Sequence, residues 1–546
     1  EKEDECSIVL LDKSGNTACE LDIPSEYSTG SLYSVRVHGF CGNKYAYYFK
    51  INGKRCIDPY ATRILGREKW NDKTRSDNDY EIACGIDSSD FDWKYDSFPE
   101  ITRDRMKLYK LHVRGFSMDV SGNKKHKGTF EAVSDRINYI KKLGFTSILL
   151  MPVYEFEEMT IPVKHDIPEY AKPKYSLKDE QSVHTENDKV NFWGYTSGNY
   201  FAVKASYASD ASDASNELRR LVERLHKNGM ECIVEMYFPD RTDHNLILDA
   251  LRYWVMSFHV DGFKLLGDRL PVTAIVQDAL LSRTKILYDG FDMSVVPQNR
   301  TYENLYIDKE EYQFAARMML NHINCNMYEL LNQQKKQGEN VGFINYISSN
   351  NGFTLSDLFM YNDRHNETNG EKNADGPSWN FSNNYGCEGP SRKRFIREIR
   401  KLKWKDAMLL LFLAQGVPMI MAGDEICNSQ DGNNNAYCQD NPTGWVNWSN
   451  EHSRRENIRF LTRLIKFRDE HPVISCPKPF KFSDYKAVGY PDLSYHCKNA
   501  WIGECDATKL CVGVMYCGDY NEVNKDYVYV AYNLSLIHIS EPTRLA

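Results

Sequence analysis

The sequence predicts an α/β protein: a long central region of strand–helix–strand units on a mostly parallel sheet, with β-rich regions on both sides. Three observations carry this. Residues 1–98 hold short alternating runs, such as YAYYFKI at 45–51, and that run is followed by Asn52-Gly53, a hairpin signal. From Lys107 onward helical periods replace the alternation and separate continuous apolar runs of strand length, as expected of parallel strands covered on both faces. From Pro472 the short β-prone runs return.

Taken in order, residues 1–98 read as a small β-sandwich and 104–471 as the parallel α/β region. In that region 108–116 (LYKLHVRGF) reads as a strand, 129–143 as an amphipathic helix and 146–153 (TSILLMPV) as a second strand. The stretch 155–191 is long, polar and turn-rich, which marks an insertion. Strands are expected over 231–238 (ECIVEMYF), 260–268 (VDGFKLLGD), 285–292 (KILYDGFD) and 341–350 (VGFINYISSN), and helices over 214–228, 246–257 and 312–333. Residues 472–534 read as the start of a second, incomplete sandwich. The last stretch, 535–546 (SLIHISEPTRLA), does not continue the strand pattern of YVYVAYN before it and reads as a non-native tail.

Composition excludes several classes of function. The 546 residues carry a net charge of -8 with both signs interspersed, which leaves no electrostatic footprint for nucleic acid. No apolar run approaches the ~18 residues of a membrane span. Fifteen cysteines, an odd number with no C-x-x-C pair, read as buried reduced thiols of a cytoplasmic protein, and no loop has the spacing of a calcium site. No cofactor or metal is expected, and an uncharged polymer fits the balance better than a charged partner.

The segment 260–268 resembles the strand written G-F-R-x-D in the α-amylase superfamily of glycoside hydrolases, whose final Asp is the nucleophile. Lys264 stands here for the Arg and Leu266 for that Asp. The run 285–292 resembles the strand of the general acid, I-A-E-P-W-D, with Asp289 in place of the Glu. The strand over 341–350 leads to Asn350-Asn351, where the family has His-Asp and uses the Asp to stabilise the transition state. The family's D-x-x-x-N-H at the end of the preceding sugar-site strand is replaced by Glu235, Pro239 and Asp240. The stretch NFWGYTSGNYFAVKASY at 191–207 resembles the W-G-Y stretch, which implies Tyr195 as a stacking platform for sugar and Trp193 as a neighbouring contact. Asp58-Pro59-Tyr60-Ala61 stands where the amino-terminal domain of isoamylases and pullulanases carries D-P-Y-A. Residues 352–389 and 422–448 resemble isoamylase and glycogen-debranching enzymes. The likeness spans about 35–535 and implies a (β/α)8 TIM barrel with an N-terminal β-sandwich and a truncated C-terminal β-sandwich.

Retaining hydrolysis of a glycosidic bond needs a carboxylate nucleophile and a carboxylic acid about 5–5.5 Å apart. Leu266 can be neither. Asp289 is one methylene shorter than the Glu it replaces, and a misplacement of about 1 Å can cost on the order of a hundredfold. Asn351 lacks the charge that would balance an oxocarbenium-like centre. The leading expectation is therefore a catalytically inactive α-glucan-binding protein, acting as partner or regulator of an active glycogen-metabolism enzyme, with substrate contacts from Tyr195, Trp193, Lys264, Glu235, Asp240, Asn350 and Asn351. One alternative is an active α-1,6 debranching hydrolase with relocated groups, Asp289 as acid and Asp268, Glu235 or Asp240 as base or nucleophile. Another is a purely structural interaction protein whose groove is filled by its own loops, marked by an occluded cleft around Leu266 and Tyr195.

Overall fold

The computed structural model describes residues 5–534 apart from 30–31, 39–41, 43, 75–81, 88–89, 121–125, 160–188, 293–295, 297–301, 309, 498–500 and 502–509. Most of the 155–191 insertion and the whole 535–546 tail lie outside the described residues.

Eight parallel strands close into a barrel, as the resemblance implies. They are β1 (Leu108–Leu111), β2 (Ser147–Leu150), β3 (Glu231–Tyr237), β4 (Gly262–Leu266), β5 (Lys285–Leu287), β6 (Leu305–Asp308), β7 (Gly342–Asn345) and β8 (Val417–Met421), with β8 pairing back onto β1. Side chains alternate along each strand, so one set fills the barrel and the other faces the helices. Cys232, Val234, Met236, Phe263 and Leu265 join the outer core with Leu218, Leu221, Leu225 and Trp254 from the helices Ala214–Lys227 and His244–Phe258. Leu108, Leu149, Ile233, Leu287, Tyr306, Ile344 and Val417 form a dry inner layer. Two residues further along the strands, the same alternation delivers Lys110, Glu235, Lys264 and Asp308 to the next layer.

Strand ends are shorter than the apolar runs. β1 stops at Leu111 because the His112 imidazole caps the helix Val113–Ser117, its Nδ1 accepting from the Gly115 amide at 3.0 Å. The helix expected over 129–143 is two helices, Phe130–Asp135 and Ile137–Leu143, meeting at Arg136. That expected over 312–333 is Glu311–Asn321 and Met327–Gln334, the first ended by His322 in the left-handed region, φ 59°. Gly267, directly after β4, has φ +142°, and a Cβ there would lie 2.3 Å from the Phe238 carbonyl oxygen; this close approach holds the ends of β3 and β4 together.

The amino-terminal region is an antiparallel sheet in the order Thr17–Ile23, Cys6–Leu11, Ala46–Ile51, Ala83–Gly85, Arg63–Leu65, with Lys54–Cys56 forming the expected hairpin through Asn52 and Gly53, both at positive φ. It is fastened to the barrel by Tyr60, whose ring packs on Phe201 at 4.8 Å, and by Trp70, which stacks on Tyr207 at 5.5 Å and donates to Asp440 at 2.8 Å. At the other end a three-stranded antiparallel sheet, Leu493–His496, Cys511–Tyr516 and Val528–Asn533, buries Leu493, Val512, Val514, Tyr516, Val528 and Tyr532 against the barrel.

Candidate active site

In a parallel barrel the reacting groups sit where the strands end in their C-terminal direction. Here that level is an ion cluster. Glu235 Oε1 lies 2.6 Å from Lys110 Nζ and 3.7 Å from Lys264 Nζ, and Lys264 also pairs with Asp308. The Tyr195 hydroxyl donates to Glu235 Oε2 at 2.5 Å, and Lys110 donates to Asn350 Oδ1 at 2.7 Å. Two ammonium groups and two carboxylates thus cancel in a space where Glu235 is 0% exposed. Ions so deeply desolvated are tolerable only when paired and hydrogen-bonded.

Titration follows from this packing. Burial pulls Lys110 down to about 8 although Glu235 opposes it. Burial also works against the Lys264 ammonium, yet Asp308 and Glu235 overcome it and hold its pKa above the ordinary lysine value. For Glu235 burial would raise the pKa, but Lys110 and Lys264 leave it lowered, so the carboxylate stays ionised. The Tyr195 phenol is pushed well up by burial and by the Glu235 charge and remains a donor.

Above the ions lies an apolar lid. Leu266 follows Lys264 on the same strand face, and its register partner on β3 is Tyr237. Its partly buried side chain packs against an apolar cluster made of Met151, Phe192, Trp193, Tyr195, Ala436 and Tyr437. Trp193 and Tyr195 meet edge to face at 6.1 Å and are 4% and 8% exposed. Tyr195 therefore shows its hydroxyl to Glu235 and most of its ring to other side chains. Behind Trp193 and Asn350 a cavity of about 50 Å³, also lined by Leu111, His112 and Asp424, has room for a few waters and not for a sugar ring.

The remaining candidates occupy the rim. Asp289 and Asp268 are exposed and both act on the Tyr288 phenol, whose pKa burial chiefly raises; the Asp289 charge also reaches Lys264. Asn351 is exposed and turns its carbonyl to the Ser349 hydroxyl at 3.0 Å. Asp240 is on the loop after β3, 3.4 Å from Arg269, away from Glu235's partners. Among the described residues no group of three or more His, Cys, Asp or Glu is arranged to hold a metal ion, and no helix is long and apolar enough to cross a membrane.

Comparison with known proteins agrees with the fold. Residues 96–245 match the family model described as alpha amylase, catalytic domain. The chain is 28% identical to chloroplastic isoamylase 1 of Arabidopsis thaliana, over 85% of this chain and 71% of that protein. It is 27% identical to a glycogen debranching enzyme of Enterobacter sp. (strain 638), over 82% of this chain and 76% of that protein. Among solved structures it resembles a pullulanase from Bacillus acidopullulyticus (TM-score 0.68, 16% identity, 97% of this chain and 66% of that one) and apo pullulanase from Paenibacillus barengoltzii (TM-score 0.65, 17% identity, 97% and 84%). These likenesses support the isoamylase and glycogen-debranching branch of the α-amylase superfamily. Leu266, expected from the sequence in the nucleophile's place, is partly buried against the apolar cluster and two residues beyond Lys264 on β4.

Two members of the cluster escaped the sequence reading. Lys110 was hidden in LYKLH, and Asp308 ends the short run LYID, which was not read as a strand. Each carried a signal: a lysine inside a covered strand demands a buried partner, and a carboxylate at the end of a barrel strand faces the site.

Proposed function

We propose that this chain is a non-hydrolytic α-glucan-binding protein of the debranching branch, holding glycogen- or starch-type chains without cleaving them and serving as partner or regulator of an active glycogen enzyme. The observation that carries the reading is Leu266 packed against the apolar cluster that holds Tyr195 and Trp193, two residues beyond Lys264, while the Glu235 charge is already taken by Lys110 and Lys264. A retaining cleavage needs a carboxylate within reach of the anomeric carbon, and at Leu266 the chain offers an isobutyl group. Lys264, Asn350, Asn351 and Asp240 remain the proposed sugar contacts at or beside the mouth, whereas Tyr195 and Trp193, expected as sugar platforms, are covered by other side chains. Buried thiols such as Cys84, Cys232 and Cys517 support a reducing, cytoplasmic setting.

One observation gives the active alternative its footing: Lys264 feels three carboxylates, Asp308, Glu235 and Asp289, and Asp289 is exposed on the rim. Native electrophoresis through glycogen-containing gels tests the binding reading. Retardation relative to a glycogen-free gel, with no reducing ends formed, is expected; equal mobility in both gels contradicts it.

A further inference from the structure

Two neighbouring helices on the barrel wall, Arg394–Phe412 and Arg455–Glu470, gather positive charge beyond what the fold pairs. Residues 394–405 hold six basic residues against Glu398, and residues 455–463 hold three against Glu456, in a chain whose net charge is -8. The side chains of Arg394, Arg397, Arg455, Arg459 and Arg463 are exposed and form no ion pair or hydrogen bond among the described residues. They do not serve helix stability either. Lys393 and Arg454 are the N-cap residues, Arg394 and Arg455 open the two helices, and the helix dipole disfavours cations at that end. We propose that the seam between these helices docks an acidic amphipathic helix of a partner protein. The seam lies on the outside of the barrel, so the inference does not depend on whether the mouth binds glucan.

Three observations select that occupant. First, the seam already seats one carboxylate: Glu456 lies 2.7 Å from Lys401 and 3.4 Å from Lys405, so the chain itself bridges the two helices through a carboxylate between cations. Second, the seam has an apolar floor. The Phe460 ring packs on Trp404 at 6.0 Å with the Lys405 ammonium 5.4 Å from its centre, and Phe467, seven residues on and thus on the same side of its helix, is 38% exposed. Arg463, three residues from one ring and four from the other, stands beside both. Third, the width suits a helix. Packed helices lie about 8–10 Å apart, and the groove between them accepts the ridge of a third helix. A bilayer or a nucleic-acid duplex is too broad to reach rings on that floor. A helix with an apolar stripe edged by Glu or Asp would lay the stripe on Phe460 and Phe467 and its carboxylates on the arginines, whose planar fork suits them. A second copy presenting the same face would bring like charges together.

Fluorescence anisotropy tests the seam. The full chain is titrated, at about 150 mM salt, into a fluorescein-labelled synthetic helix of three heptads with Leu at the seam positions and Glu elsewhere. Wild type should bind it, and raised salt should weaken the binding. Arg459→Glu/Arg463→Glu should weaken binding about tenfold or more. Phe467→Ser should weaken it about threefold and leave the binding of polyglutamate unchanged. These positions are exposed, and each variant should keep the wild-type circular dichroism. No binding of the peptide by wild type, equal binding by the double variant, or equal binding of a peptide of the same composition with its Leu positions scrambled overturns the proposal. Tighter binding of duplex DNA or of phosphatidylserine vesicles than of the peptide overturns it in favour of that polyanion. Self-association of the chain that the double variant abolishes overturns it in favour of a second copy. Failure of the glycogen gel leaves the seam standing, since the two tests share no residue.

Discussion

The barrel mouth and the outer face of the carboxy-terminal sheet treat similar side chains in opposite ways. At the mouth Tyr195 and Trp193 are packed shut over four ionised groups, while at the far sheet Tyr490, Trp501, Tyr527 and Tyr529 are left open to solvent. Rings that are buried contribute to stability, and rings that are exposed are free to contribute to recognition. The difference teaches that one scaffold can bury some of its aromatic rings beside paired ions and leave others open to solvent.

If the mouth is core, altering it should cost stability. Lys110→Met leaves Glu235 buried with one partner removed and should lower the unfolding free energy by about 3–5 kcal/mol, read as a fall in the urea midpoint. Adding Glu235→Leu to that variant should recover much of the loss, because no buried charge is then left unpaired. A midpoint for Lys110→Met equal to wild type would mean that water reaches the cluster and that the mouth is open.

Leu266→Asp places a charge against the apolar cluster, two residues beyond Lys264 on β4. It should cost about 2–3 kcal/mol and create no turnover, since Asp289 and Asn351 are unchanged. Measurable release of reducing ends by this variant would show that the rest of the machinery is intact.

Buried carboxylates behind the mouth make the barrel sensitive to pH. Burial pushes Glu425 up to about 7, and Asp424 and Asp357 up to about 6. Their folded-state pKa values exceed the unfolded ones, so the folded chain holds protons that the unfolded chain has released. Their contribution is complete below the unfolded pKa and is lost as pH rises through the folded value. The urea midpoint should therefore fall between pH 5 and 7.5, with Glu425 accounting for on the order of 1–3 kcal/mol, and Glu425→Gln should flatten that slope.

The smallest stability effect belongs to the exposed sheet. Trp501→Ala should lower the unfolding free energy by about 1 kcal/mol or less, the contribution of a half-exposed ring stacked on Tyr490. A large loss would make the ring structural.

Much of this fold was legible in the sequence. Apolar runs of strand length between helical periods mark β2, β3 and β4, and Asn52-Gly53 marks a hairpin whose residues have positive φ. The ion cluster was not, because it exists only after closure: β1, β3, β4 and β6 are distant in sequence, and no local pattern says that Lys110 will meet Glu235 or that Asp308 will meet Lys264. Leu266 stands out in the sequence against its flanks, whereas its packing against the cluster that holds Tyr195 depends on how the 191–207 stretch folds over the barrel. Alternation in Val528–Asn533 shows that one face is covered and the other is not, without saying which rings gather on the open face.

The most direct measurement is the time course of reducing-end release from a branched α-1,6-linked dextrin by purified chain, with wild type and Asp289→Asn run side by side. The account predicts two flat traces at the level of the buffer blank while the wild-type protein still binds the dextrin. Turnover by wild type that Asp289→Asn abolishes would contradict it, because a rim carboxylate would then be serving a working site despite Leu266.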